Sequence, residues 1–334
     1  MGKKLSIVGV GLLLLASCGG EETQTIKPAN EQTKPTDFVV VQTPVFNQDS
    51  AYQFIQTQVD FGPRVPNTQA HSNCADWLEK TLANYGATIL VQKGVVTAFN
   101  GDKLNMKNII AQFSPEKSKR VMLFAHWDTR PVADKDSERK SEPIDGANDG
   151  GSGVGVLLEM ARQFNLKEPT VGVDIILFDA EDYGTFEGSI SSMKDSWCLG
   201  SQYWAENPPI ANYRPAYGIL LDMVGAENAQ FPKEYISMYH ARNVVEKVWS
   251  TAKKLGYGNY FIDTELNQYQ AITDDHLYVN ALANIPSIDI ISYDPKQNTF
   301  GDFHHTHEDN IDIIDKNTLK AVGQTVMEVV YQER

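Results

Sequence analysis

Arg120-Val121-Met122-Leu123-Phe124-Ala125-His126-Trp127-Asp128 is the stretch on which the fold turns. Val121 to Ala125 is an unbroken apolar run of strand length, as a strand covered on both faces requires, and it stops on polar residues. The i, i+2 spacing of His126 and Asp128 sets both side chains on one face. Other runs end the same way. Val173 to Phe178 passes into Asp179-Ala180-Glu181-Asp182, and Tyr217 to Leu221 into Asp222. Ser287 to Ser292 leads through a long loop to His304-His305-Thr306-His307. Open α/β sheets place their working residues just past the carboxyl ends of parallel strands, where successive loops meet in one crevice. Asp149, Glu181, Asp182, Asp222 and His305 therefore form one expected site, with His126 beside them. Carboxylate and imidazole donors together suit zinc, which takes three protein ligands and keeps a fourth position open when the site is catalytic. Asp149, Asp182 and His305 would fill those three places, and two carboxylates would neutralise the ion.

Outward from these strands the pattern predicts an α/β fold, with a mixed, mainly parallel central sheet flanked by helices. Asn47 to Phe61 and Thr68 to Tyr85 have helical spacing, the second stopped by Gly86. Ala87 to Phe99 and Asn105 to Phe113 predict an antiparallel hairpin at a sheet edge, turning at Asn100-Gly101-Asp102. Gly155 to Asn165, Val244 to Leu255 and Leu319 to Tyr331 are amphipathic, and their faces with Met160, Phe164, Val244, Val248 and Leu319 are assigned to the core. Two stretches, Arg130 to Gly146 and Tyr183 to Leu199, are too long for plain connections, and are expected to rim a pocket.

A chain of 334 residues with 42% hydrophobic content can bury a full core, and one catalytic domain, residues 41–334, is the natural count. A formal charge of −14 argues against nucleic acid and against direct adhesion to anionic lipid. Residues 1–17 carry the marks of a signal peptide: Lys3 and Lys4, an apolar stretch from Leu5 to Leu15 too short to span a bilayer, and Leu15-Ala16-Ser17-Cys18. The last four resemble a bacterial lipobox, which makes Cys18 the lipidated anchor; a plain secretory signal cut nearby is the alternative, and either exports the protein. Residues 18–40, polar and without periodicity, form the expected flexible tether. Cys74 and Cys198 then remain, and are expected as free thiols.

Ala125-His126-Trp127-Asp128, Gly146-Ala147-Asn148-Asp149-Gly150-Gly151-Ser152-Gly153, Phe178-Asp179-Ala180-Glu181-Asp182, Asp274-Asp275-His276 and the final His305 resemble, in order, the signatures of co-catalytic zinc aminopeptidases and of their relatives, the animal-type glutaminyl cyclases. The nearer resemblance is to glutaminyl-peptide cyclotransferases, through His305-Thr306-His307-Glu308-Asp309-Asn310 and through Trp197, which is similar to an aromatic residue lining the cyclase pocket. The chain departs from that pattern at His304, where cyclases often carry Trp, and at Glu181-Asp182, where they carry Glu-Glu; the animal disulfide has no counterpart.

The resemblance implies Asp149, Asp182 and His305 as zinc ligands and Glu181 as general acid/base, with Asp222 and Asp274 as the acidic network beside it. It implies one zinc per chain and an N-terminal glutamine of a peptide or protein as substrate, with Trp197, His304 and Trp127 around the side-chain methylenes. Trp127 can serve only if its strand has already ended, since it lies between two positions of the opposite face. His126 matches the position that holds a second metal in the aminopeptidases, so an exported dinuclear aminopeptidase using His126 and Asp222 is the competing reading. A binding protein that has kept the fold would have lost Glu181 or a ligand, and neither is lost. The lipobox at Cys18 implies a bacterial envelope protein bound to the membrane only through its lipid, and Gly19-Gly20-Glu21-Glu22, no strong inner-membrane retention signal, leads to an expected place on the outer membrane facing the periplasm. A monomer is expected. A lone Asp after a strand is ordinarily a helix cap or a solvated residue; it is the constellation that points to chemistry. His71 and His240 are expected at the surface, and His307 at the surface or supporting the ligand His305.

Overall fold

The computed structural model describes residues 42–186 and 195–334. The expected signal peptide, Cys18 and the tether lie outside the described residues. Two helices come first, α1 (Gln48–Asp60) and α2 (Gln69–Asn84). Each is started by a side-chain cap: Asn47 accepts from the N–H groups of Asp49 and Ser50, and Thr68 from that of His71. The hairpin β1 (Thr88–Thr97) and β2 (Lys103–Phe113) follows, then β3 (Arg120–His126), α3 (Gly151–Leu166), β4 (Gly172–Phe178), α4 (Leu199–Glu206) and β5 (Gly218–Asp222). The chain continues through β6 (Phe231–Lys233), α5 (Tyr235–Lys254), β7 (Phe261–Glu265), α6 (Asp275–Ala281), β8 (Ser287–Ile291) and α7 (Lys316–Gln332).

The main sheet has the order β1-β2-β4-β3-β5-β8, and β6 pairs separately with β7. Strands β4, β3, β5 and β8 run parallel, β2 is antiparallel to β4, and β1 is antiparallel to β2 at the edge. The four parallel strands are buried along their whole length, which is why they appear in the sequence as continuous apolar runs. Strand alternation then divides β3 between two cores. Val121, Leu123 and Ala125 pack with α1, α2, α3, α5 and α7, whereas Met122 and Phe124 pack with Trp204 of α4 and Val279 of α6.

This order creates a switch point. From β3 the chain crosses to β4 on one side, and then returns to β5 on the other. The loops leaving β3, β4 and β5 diverge there and leave a crevice at their carboxyl ends. Among the described residues no helix is long and apolar enough to cross a membrane.

Candidate metal centre and cleft

His126 is the last residue of β3 and Asp222 the last of β5, while Glu181 and Asp182 follow the end of β4 and Asp149 precedes α3. The backbone bends sharply to aim them. Apart from asparagines, the described non-glycine residues with positive φ are Ser114, elsewhere, and Ala180, Cys198, Met223 and His305, all in or directly beside this crevice. Each such residue costs about 1–3 kcal/mol and persists only where its surroundings hold it. The glycines before α3 are needed for close approach. A Cβ on Gly153 would lie 2.1 Å from the carbonyl oxygen of Leu221, and one on Gly150 2.8 Å from the His126 ring.

Two buried carboxylates hold the site loops. Asp128 accepts from the N–H groups of Glu181 and Asp182 at 3.0 and 3.2 Å, one to each oxygen. Asp309 does the same for Asn148 and Asp149 at 2.7 and 3.0 Å. Arg64, fully buried, donates to the carbonyl oxygens of Asp145 and Gly146 and braces the same loop. Asp309 had a sequence signal in the acidic positions after His305, but its contact spans 161 residues and is set only by the fold.

Asp149, Asp182 and His305 converge. His305 Nε2 lies 3.3 Å from Asp182 Oδ1 and 3.7 Å from Asp149 Oδ2. Donors about 2.0–2.1 Å from a tetrahedral zinc stand about 3.3 Å from one another, so the His305–Asp182 pair has the spacing of two ligands of one ion and the His305–Asp149 pair is slightly wider, while His304 joins Asp149 and His305 in a group whose donor atoms all lie within 4.8 Å of one another. The second oxygen of Asp182 is buried without a hydrogen-bond partner, as an atom reserved for a cation would be. On the other side of Asp149, His126 Nε2 lies 3.0 Å from Asp149 Oδ1 and 3.2 Å from Asp222 Oδ1. His126, Asp149 and Asp222 make a second group of metal-donor type, sharing Asp149.

Glu181 stands beside these donors with its carboxylate buried, and Cys198 donates its thiol hydrogen to Glu181 Oε1 at 3.1 Å. Glu181, Cys198 and Asp274 each offer a ligand-type atom within 4.8 Å of the others. Burial, then the charges of Asp274 and Asp182, pushes the Glu181 carboxyl well above the usual range. Asp274 is raised by burial and by Asp222, which suits two carboxyls sharing a proton. Asp182 is raised by burial and by Asp149. Burial and the charge of Arg130 hold His305 down at about 3, so its ring is the neutral imidazole that a metal takes. Burial opposes the charged form of His126, yet hydrogen bonds to Asp128, Asp149 and Asp222 outweigh it and raise that group well above its ordinary value.

Above the donors lies a cavity of about 610 Å³ whose wall includes Arg130, Trp197, Asp274, Tyr293 and His304. Trp197 stacks on the His305 ring, with centroids 5.8 Å apart and planes 11° from parallel, and the Arg130 guanidinium covers it at 4.7 Å. His304 joins the wall, its Nδ1 2.6 Å from Lys135 Nζ. Arg130, Asp134 and Lys135 from one long loop, and Thr185, Phe186 and Trp197 from the other, rim the cavity as expected.

Trp127 does not line it. Strand alternation carries Trp127 to the same side as Leu123 and Ala125, where it is fully buried, stacks on His71 at 4.3 Å and donates to the carbonyl oxygen of Lys107. His71 is likewise no surface residue: it is buried, with Nε2 2.9 Å from Asp179. His307 supports the ligand loop through Asp136 at 2.7 Å, and His240 is exposed. Both described cysteines are free and buried.

Residues 108–330 match the family model described as peptidase family M28. The chain belongs to that family. This M28 chain is 54% identical to a Tannerella forsythia glutaminyl cyclase, covering 87% of this chain and 100% of that one with a TM-score of 0.85. It is 52% identical to a Bacteroides thetaiotaomicron glutaminyl cyclase bound to N-acetylhistamine, covering 88% and 100% with a TM-score of 0.85. A Zn-dependent exopeptidase from Parabacteroides distasonis is 55% identical, covering 87% and 100% with a TM-score of 0.85. Curated M28-like relatives are more distant. Aminopeptidase YwaD of Bacillus subtilis is 28% identical over 68% of this chain, which spans only 44% of YwaD. A Dictyostelium discoideum glutaminyl-peptide cyclotransferase is 26% identical, covering 74% of this chain and 68% of its own length.

Proposed function

We propose that this chain is a glutaminyl-peptide cyclotransferase, closing the N-terminal glutamine of peptides and proteins to pyroglutamate with release of ammonia. The observation that carries the reading is Glu181, buried at the base of a tryptophan-walled cavity and next to a zinc-type donor set, in a chain more than half identical over its length to a glutaminyl cyclase.

Asp149, Asp182 and His305 would hold one zinc, which when bound supplies Lewis-acid polarisation of the glutamine side-chain amide. Glu181 takes a proton from the α-amine as its nitrogen attacks the amide carbon, and returns one to the departing nitrogen as the old C–N bond breaks. Asp222 and Asp274, sharing a proton, orient the amine and Glu181. Trp197 and His304 pack the glutamine methylenes and exclude water. Nucleophile and electrophile belong to one residue, so the site mainly has to hold a folded conformer, for which effective molarities reach about 10⁵–10⁸ M.

The His126–Asp149–Asp222 group favours a second reading, a dinuclear aminopeptidase. Incubating the zinc-loaded protein with a peptide beginning Gln-Leu separates the two. Loss of one ammonia and nothing more, abolished in Glu181→Gln while zinc stays bound, is the expected result; removal of whole residues from the N-terminus would replace the cyclase with the aminopeptidase. We further propose a monomer, lipid-anchored through Cys18 on the strength of Leu15-Ala16-Ser17-Cys18 and the apolar stretch before it, and placed on the outer membrane facing the periplasm because Gly19-Gly20-Glu21-Glu22 is no strong inner-membrane retention signal.

A further inference from the structure

Tyr269 belongs to two cavities. It stands on the wall of the active-site cavity and also on an adjoining recess of about 800 Å³, which Tyr235, Met238, Tyr239, Arg242 and Leu266 line with it. Among the described Phe, Tyr and Trp side chains only Tyr239 and Tyr269 are largely exposed, at 74% and 90%, and both face this recess. Single exposed apolar side chains are commonplace, but aromatic exposure gathered at one place beside a cleft marks a contact surface.

The backbone beneath Tyr269 is fastened. Tyr269 sits on a one-turn helix, Gln268–Gln270, closed by a capping box in which the Asn267 side chain accepts from the Tyr269 N–H at 2.9 Å. Gln270 fastens that turn to the carbonyl oxygen of Pro295 at 3.1 Å and to Asn298 at 2.7 Å. Opposite, Tyr235 and Tyr239 stack one turn apart on α5, their centroids 6.5 Å apart. Tyrosines have only two side-chain torsions to order, so they offer a large contact area at little entropic cost when their backbone is already fixed.

We propose that this shelf receives the polypeptide downstream of the N-terminal glutamine, and that it favours an aromatic side chain three or more residues from the terminus. The proposal rests on the cyclase reading, which seats the terminal residue over Glu181. Arg130, Asp134 and Lys135 bound the cavity on one side, and at Tyr269 it adjoins the recess, where the charges of Arg242 and Glu265 are paired with each other at 3.4 Å. An extended chain advances about 3.3 Å per residue, so a dipeptide stays within the cleft while six residues, roughly 20 Å, run across its rim.

The test uses hexapeptides with glutamine first and glycine elsewhere, with one phenylalanine moved from position three to position six, and follows ammonia release by the purified zinc-loaded protein. Stacking of one aromatic pair predicts that the best phenylalanine position lowers KM about 3- to 10-fold against the all-glycine peptide. In Tyr269→Ala and in Tyr239→Ala that ratio falls towards one, a readout independent of any general loss of activity. A ratio near one for the native protein at every position, or a ratio unchanged in both variants, overturns the shelf. If no peptide releases ammonia, the cyclase reading falls, and calorimetric titration of the same peptides decides the shelf alone. Phenylalanine-dependent binding lost in Tyr269→Ala supports it, and binding indifferent to phenylalanine overturns it.

Discussion

Replacing Asp309 tests whether the metal loop is held by the fold or by the metal. Asp309 is fully buried, and its two oxygens accept the N–H groups of Asn148 and Asp149 at 2.7 and 3.0 Å. Burial and the charge of Asp149 push the Asp309 carboxyl up to about 8, so the two bonds are not those of a fully charged carboxylate; Asp309→Ala leaves two buried donors unpaired at about 1–3 kcal/mol each, about 2–6 kcal/mol together. Against a total stability of about 5–15 kcal/mol that variant stands near the threshold of folding. Asp309→Asn is the sharper probe. It keeps one acceptor and turns an amide N–H against the other donor, for a loss of about half as much. Asp149 is then less firmly aimed, and the loss of such a supporting contact typically weakens metal binding about 10–100-fold, or about 1.4–2.8 kcal/mol. Guanidinium unfolding of the metal-free protein reads the first quantity, and zinc titration against a competing chelator the second. An Asn variant within about 0.5 kcal/mol of the native protein, with zinc affinity unchanged, would refute the argument that Asp309 positions the ligand.

Glu234 makes stability depend on acid pH. It caps α5 through the N–H groups of Ile236 and Ser237 and lies 3.0 Å from His276. Burial raises its carboxyl, but His276 and the backbone donors outweigh this and bring it from 4.5 down to about 2. A folded value below the unfolded one stabilises the protein above the unfolded value, so a contribution on the order of 3 kcal/mol is lost as pH falls from about 4.5 through about 2. Glu234→Gln should flatten that part of the stability–pH curve, and an unchanged slope would exclude Glu234 as its source. Gly153→Ala forces a Cβ to 2.1 Å from the Leu221 carbonyl and 3.0 Å from Ala125 Cβ. The expected cost is about 1–3 kcal/mol in thermal unfolding, with weakened zinc binding because the ends of β3 and β5 must separate; native-like stability would contradict the packing.

The sheet was legible because its parallel strands are buried on both faces and so announce themselves as apolar runs. Strand β7 carries no such signal, being mostly exposed, and β6 and α6 are too short to show a period. The polar residues ending β3, β4 and β5 could be placed in one crevice from strand order alone, and the family signatures supplied the loop residues Asp149 and His305. Trp127 was misplaced for a local reason: the strand geometry of β3 runs one residue past its last paired position, so alternation still governs where the indole points. His71 was misplaced for a distant one. Its partner Asp179 is 108 residues away, and nothing near His71 in the sequence reveals that contact. The clamps made by Asp128 and Asp309 share that character, since each joins loops brought together only by the finished sheet.

The cost of this site explains its location. Asp149, Glu181, Asp182, Asp222, Asp274 and Asp275 are all buried within one small region. Removing carboxylates from water is unfavourable unless they are protonated, paired or bound to a cation, and burial accordingly raises Glu181, Asp182, Asp274 and, to about 7, Asp275. Four left-handed residues add backbone strain at the same place. Such a cluster survives only where the surrounding structure fixes it, and here it sits at the carboxyl ends of four strands buried along their whole length. A divalent ion held among Asp149, Asp182 and His305, as proposed, would relieve the repulsion that burial creates. On that proposal ion binding and stability would be coupled through the same carboxylates, and the unfavourable charge density would itself supply the centre's affinity.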